Sequence, residues 1–323
     1  MPQITLDQGT VHYRDTGEGE PVLLLHGYLM GGGLWEPVAE RLAPDFRCVI
    51  PDLPLGAHHT PLNPGTDLSL PGIARLVARL LTALDLRRVT LVGNDLGTAV
   101  AQIVAARHPE RIGRLVLTSG ECFDNCPAPW FRSLVPAARV PGLLTLAFQA
   151  LRLRAARRLP FAYGQLTTGA LPHHLIDDWM GAFFRDPGVR RDCAEFTRNF
   201  RPAALLDATE RLAAFDRPTL LAFAREDRIF PFAHGERLAA LIPGARLEPV
   251  PDSRTWVMLD QPALTAHLIR EFIRTTTAGD TAPADTDADT GTGTGTQAST
   301  CAHPPIGRPV HQQGVPLTRP KLT

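Results

Sequence analysis

A chain of 323 residues, 44% hydrophobic and 20% charged, is long enough for one large domain or two small ones. Its 33 basic and 33 acidic residues balance, so over the whole chain nothing suggests a nucleic acid or an anionic membrane as partner. The five cysteines, Cys48, Cys122, Cys126, Cys193 and Cys301, are odd in number and lack zinc-type pairing; free thiols in a reducing compartment are expected, with no metal site. No apolar run approaches the roughly 18 residues that cross a bilayer. The first residues read as a polar strand rather than a signal peptide, so the expected location is cytoplasmic.

Residues 4–6 and 11–13 read as two short strands joined by a Gln-Gly turn. Residues 21–25 form a continuous apolar run, the pattern of a strand covered on both faces, and end in His26-Gly27-Tyr28. Three glycines at 31–33 suggest a flexible loop, after which Leu34, Trp35, Val38 and Leu42 recur at helical spacing. A second buried strand, Cys48 to Ile50, leads into a turn-rich loop at 54–64 that carries His58 and His59. Ile73, Leu76, Val77, Leu80, Leu81 and Leu84 then mark one face of an amphipathic helix.

Residues 89–98 read VTLVGNDLGT: a β-branched and aliphatic strand, a tight turn and the start of an Ala-rich helix that ends at His108. Glycines two residues before and two after Asp95 leave room for crossing backbones and push the central side chain out above the sheet, beside a helix N-terminus. An ionised carboxylate there is already nucleophilic at neutral pH and suits displacement at a saturated carbon through an ester. The plainer reading is a helix-capping aspartate, since an acidic side chain at a helix start favours the dipole in any case.

Another strand at 115–118 precedes Glu121, and then the alternation of strand and helix stops. Residues 123–212 hold helical patches, such as 143–158, and many aromatics, Trp130, Phe131, Phe161, Tyr163, Trp179, Phe183 and Phe184 among them; they read as a helical insertion over the sheet. The cluster Arg152, Arg154, Arg157 and Arg158 reads as a solvated helix face, with anion binding as the alternative. His173 and His174 point to different faces of a helix and read as surface residues rather than a metal pair. The rhythm resumes with a strand at 218–224, followed by Asp227, a helix at 233–241, a strand at 246–250 and a last helix at 262–273 that carries His267 on its surface. Beyond Thr275 the composition collapses to Thr, Ala, Asp, Gly and Pro, which reads as disordered.

Helices alternating with apolar strands indicate an α/β fold, a mostly parallel twisted sheet with helices on both faces. Four landmarks, taken in order, resemble the α/β-hydrolase superfamily over residues 2–275: the His26-Gly27 turn, the G-N-D-L-G elbow, the helical insertion, and Asp227 after the strand that resumes the sheet. The elbow aspartate is most similar to the branch that holds the haloalkane and fluoroacetate dehalogenases and the epoxide hydrolases. The resemblance implies core residues 1–122 and 213–275, a cap at 123–212 and a tail at 276–323. It implies Asp95 as nucleophile, the N–H groups of Tyr28 and Leu96 as oxyanion hole, and Asp227 as the acid that orients a histidine base. That histidine is missing. Residues 251–262, PDSRTWVMLDQP, align with the family segment without a gap, and Thr255 stands in its place, where a hydroxyl cannot take a proton from water near neutral pH. Three alternatives follow: His58, His59 or Glu121 substitutes; Asp95 acts as a general base; or the chain is a binding protein that has lost its base. Leu96 and Tyr28 also differ from the halide-holding residues of dehalogenases. The expected activity is cofactor-independent hydrolysis of a carbon-halogen, epoxide or ester bond in a small, largely apolar substrate.

Overall fold

The computed structural model describes residues 1–129 and 131–277; the expectation of a disordered tail lies outside them from residue 278 on, as do Trp130 and Cys301. Eight strands form one sheet: β1 (Gln3–Leu6), β2 (Gly9–Thr16), β3 (Glu20–Leu25), β4 (Phe46–Pro51), β5 (Val89–Asp95), β6 (Ile112–Gly120), β7 (Thr219–Ala224) and β8 (Arg246–Val250). Their spatial order is β1-β2-β4-β3-β5-β6-β7-β8. The first two strands pair antiparallel and every pairing from β4 through β8 is parallel. Every residue of β5, β6 and β7 is buried. Because alternate side chains point to opposite faces, that pattern means helices cover both sides, and it explains why these strands read as unbroken apolar runs.

The helices up to the elbow are α1 (Glu36–Leu42), α2 (Leu70–Ala83) and α3 (Leu96–Arg107). Ser69 caps α2 by accepting from the Gly72 N–H at 3.2 Å. Between β6 and β7 the chain is helical throughout its regular structure: α4 (Leu134–Ala137), α5 (Leu143–Gln149), α6 (Arg154–Arg157), α7 (His173–Arg185), α8 (Pro187–Asn199) and α9 (Ala203–Arg211), with no strand among the described residues. After β7 come α10 (Phe232–Leu241), α11 (Val257–Asp260) and α12 (Pro262–Thr275). Helix α3 packs on β5 and β6 with α2 and α9 against it, whereas α1 pairs with α12.

Two local expectations change. The triglycine stretch at 31–33 is buried rather than flexible: the Gly32 N–H donates to Asp52 Oδ1 at 2.6 Å, and a Cβ on Gly31 would stand 2.7 Å from the Trp179 ring. These glycines are close-approach positions. The 143–158 patch is also not one helix, because Leu153 adopts an extended conformation between α5 and α6.

Candidate active site

The β5–α3 turn bends as its glycine spacing predicts. Asp95 has φ 54° and ψ −124°, a conformation that side chains rarely adopt and that has to be held by its surroundings. A Cβ on Gly93 would lie 2.4 Å from the Gly97 carbonyl oxygen, and one on Gly97 2.5 Å from the Leu25 carbonyl oxygen, so strand and helix cross too closely for any other residue. Asp95 Oδ1 accepts from the Leu96 N–H at 2.7 Å and from the Tyr28 N–H at 3.1 Å. A Cβ on Gly27 would sit 2.1 Å from that same oxygen, which is why glycine precedes Tyr28. Oδ2 makes no hydrogen bond among the described residues, and the side chain is almost fully buried. Burial pushes the Asp95 carboxyl up to about 6 despite the two N–H donors, and the negative charge of Asp227 adds to the rise.

Asp227 follows β7. Its Oδ1 accepts from the N–H groups of Ile229 and Phe230 at 2.8 and 2.9 Å, and its Oδ2 accepts from the Thr255 hydroxyl at 3.0 Å. The Thr255 proton is therefore committed to a carboxylate. Burial raises the Asp227 carboxyl, against the pull of these donors. Asn94, which the sequence reading passed over, holds the far side: its Nδ2 lies 2.6 Å from the Thr255 carbonyl oxygen, 2.9 Å from Thr118 Oγ1 and 3.0 Å from the Ser119 carbonyl oxygen. A polar residue inside an otherwise apolar strand was the signal that could have found it. Glu121 lies beside the elbow, its N–H donating to the Asp95 carbonyl at 3.2 Å. Its Oε1 accepts from the Ala128 N–H at 3.1 Å, and Oε2 has only the weak thiol of Cys126 beside it. Burial first, and the charge of Asp95 second, raise this carboxyl well above the usual range.

The two histidines named as substitute bases are not brought to Asp95. His58 Nε2 lies 3.2 Å from Asp192 Oδ2 in α8, and His59 Nδ1 lies 3.2 Å from Asp52 Oδ2. Buried carboxylates claim both rings, that of His58 across the fold from α8 and that of His59 from the end of the preceding strand. His267 is exposed on α12, and His173 and His174 open α7. Among the described residues no cluster of potential ligands could hold a metal ion. In the arginine cluster, Arg157 is buried and bonded to Asp177, whereas Arg152, Arg154 and Arg158 are exposed.

An apolar cavity of about 150 Å³ lies next to the elbow, between the loop after β3 (Tyr28, Leu29, Met30) and the insertion (Phe148, Leu151, Tyr163). Asp95 is not in its wall; the Tyr28 ring forms that side. Both tyrosine hydroxyls are committed: Tyr28 Oη is 2.7 Å from Thr197 Oγ1, and Tyr163 donates to the Leu29 carbonyl at 2.9 Å. The lining side chains are almost all apolar, and a cavity of this size suits a benzene-sized apolar molecule.

A family model of the alpha/beta hydrolase fold matches residues 20–262. A 2-hydroxy-6-oxo-6-phenylhexa-2,4-dienoate hydrolase of Burkholderia cepacia is 27% identical over 278 residues, 81% of this chain and 91% of that protein. An uncharacterized protein of Mycobacterium bovis is 30% identical over 291 residues, 84% of this chain and 82% of its own length. The crystal structure of an ancestral haloalkane dehalogenase superposes with a TM-score of 0.66 at 25% identity, covering 84% of this chain and 99% of that one. With the family model spanning three quarters of the sequence and the sheet, elbow and helical insertion in the expected order, the chain belongs to the α/β-hydrolase fold family.

Proposed function

We propose that this chain is a hydrolase in which Asp95 is the reactive carboxylate, acting without a cofactor on a small, largely apolar substrate held beneath residues 123–212 as a cap. The observation that carries this reading is the division of labour between the two carboxylate oxygens. Oδ1 is anchored by the N–H groups of Tyr28 and Leu96, and Oδ2 accepts no hydrogen bond among the described residues. That is what alkyl transfer to an aspartate requires. Oδ2 attacks a saturated carbon, the carbon-halogen or carbon-oxygen bond breaks, and the leaving atom takes the electron pair. An opened epoxide then needs a proton, and the Glu121 carboxyl beside the elbow, held above the usual carboxylate range by burial, is the group proposed to supply it. In the resulting ester the carbonyl oxygen is Oδ1, already seated where water attack would build negative charge.

Water attack also needs a base, and the Thr255 hydroxyl, donating to Asp227, is not one. We therefore expect alkylation to outrun hydrolysis. After incubation with a panel of haloalkanes and epoxides, intact-mass analysis should show an adduct on Asp95, with halide or diol released in turnover only if another group takes the base role. Thr255→His, placed against Asp227, should convert the adduct-forming protein into one that turns over. No adduct and no product with any member of the panel would defeat the reading.

The second reading is a non-catalytic binding protein. It is favoured by one observation, that Tyr28 rather than Asp95 faces the cavity. The same experiment separates the two, because a binding protein yields neither adduct nor product.

A further inference from the structure

Charge and exposed apolar surface are both segregated within one part of the insertion. Residues 125–176 contain six arginines and no aspartate or glutamate, in a chain whose overall balance is zero. Of the eight large hydrophobic side chains that are exposed among the described residues, six fall between 140 and 161: Val140, Leu143, Leu146, Leu153, Leu159 and Phe161. Leu146, Leu153 and Phe161 are each about two thirds exposed, at 70%, 67% and 66%. On α5 the two sides are distinct, since Leu143 and Leu146 face out while Leu144 and Phe148 are buried. Beside and between these apolar groups stand the exposed Arg139, Arg152, Arg154 and Arg158; none has a carboxylate partner among the described residues, and Arg152 lies over the Phe184 ring at 4.6 Å. Elsewhere in the molecule arginines are widely paired with carboxylates, as in Arg47–Asp15, Arg107–Asp207 and Arg270–Asp45.

We propose that the α5–α6 region and the turn at 159–161 form a docking surface for an anionic lipid bilayer. Protruding leucine and phenylalanine side chains interleaved with arginines that lack carboxylate partners are the composition of an interfacial segment: the apolar groups enter the acyl boundary and the guanidinium groups stay with lipid phosphates. The patch also has an opening. Leu159 and Phe161 are both exposed and both line the apolar cavity, so the cavity mouth lies within the docking face and an apolar molecule dissolved in the bilayer would enter it without crossing water. The contact proposed is peripheral; no helix among the described residues is long and apolar enough to cross a membrane. Whole-chain neutrality averages over this segregation and hides it. The surface does not depend on the chemistry of Asp95.

Vesicle co-sedimentation of the full chain tests it. The protein should bind vesicles of phosphatidylcholine with phosphatidylglycerol, bind pure phosphatidylcholine vesicles weakly, and dissociate as salt is raised. Arg154→Gln with Arg158→Gln should weaken partitioning by about 25-fold, from a factor of about five for each cationic side chain at the surface. Leu146→Ser with Leu153→Ser should abolish binding; neither residue lines the cavity, so adduct formation on Asp95 in solution should be unchanged, and Asp95→Asn should bind vesicles as the parent does. Absence of binding to anionic vesicles, equal binding to neutral ones, or binding that survives the double leucine substitution would overturn the proposal. So would a concentration-dependent dimer in sedimentation equilibrium that the leucine substitutions dissolve, if vesicles are not bound, since the patch would then be an interface between copies of this chain.

Discussion

Asp95 is held in a conformation and an environment that each cost stability. Its ordinary carboxyl value of 3.8 is raised to about 6 by burial, with the charge of Asp227 contributing, so the folded protein binds this proton more tightly than the unfolded chain does. Stability from that proton is fully present below about pH 4 and is lost as pH climbs towards 6. Above that, the ionised carboxylate costs the fold about 3 kcal/mol. Asp95→Asn keeps an oxygen for the Tyr28 and Leu96 N–H groups and removes the charge. It should therefore raise the melting temperature at pH 8 by roughly 5 °C or more and lose this advantage at pH 4. Thermal melts at the two pH values check it; an Asn variant no more stable than the parent at pH 8 would mean that the buried charge is compensated by something not yet identified. A carboxylate kept at such a cost is better explained by reactivity than by capping, which a serine or asparagine would do without it.

The β5–α3 unit was legible in the sequence because its constraints are local. Gly93 and Gly97 are required by backbone oxygens within 2.5 Å of where a Cβ would stand, and both stand two residues from Asp95. Gly97→Ala should accordingly push α3 away from β3 at the Leu25 carbonyl, cost about 1–3 kcal/mol, and abolish alkylation of Asp95 while leaving the far-ultraviolet circular dichroism intact. An alanine variant that still forms the adduct at the parent rate would show that the elbow can relax. The buried strands were equally readable, since unbroken runs such as 21–25 leave no alternation to explain. What escaped the sequence depends on pairings between distant segments. His58 was attractive as a base until Asp192, 134 positions away along the chain, was seen to hold it; His59 is held by Asp52, near in sequence but buried only once the sheet and loop have packed. The triglycine stretch at 31–33 looked mobile because Trp179, which packs against it, comes from α7, far along the chain within the insertion. The arginine and leucine segregation of 125–176 was present in the sequence, but a whole-chain sum conceals a local imbalance.

At the scale of the molecule, the insertion is tied to the sheet domain by a few buried polar contacts, and Asp192 is the densest of them. Its Oδ2 accepts from the Leu62 N–H at 2.7 Å and lies 3.2 Å from His58 Nε2, while its Oδ1 accepts from Arg191 at 2.6 and 2.9 Å. Arg191 in turn donates to the Leu62 carbonyl at 2.6 Å, so the 54–64 loop is gripped from both sides. Burial raises the Asp192 carboxyl, but the donors from His58, Leu62 and Arg191 outweigh it and the net value is lowered. Its contribution is therefore present above the unfolded carboxylate range near pH 4 and is lost as pH falls through the lower folded value. Asp192→Asn must turn an amide NH2 towards one of these donor sets, leaving buried donors unpaired at a cost of about 3 kcal/mol at neutral pH. The loss should be local before it is global. In hydrogen exchange, amides of α8 and of 54–64 should lose protection together while those of β5 keep theirs, because the sheet has its own fully buried core. The gap in stability between variant and parent should narrow in acid, where the parent carboxylate is itself protonated. Uniform loss of protection across α8 and β5 would instead mean that insertion and sheet unfold as one cooperative unit, with Asp192 contributing to the whole rather than fastening one part to the other.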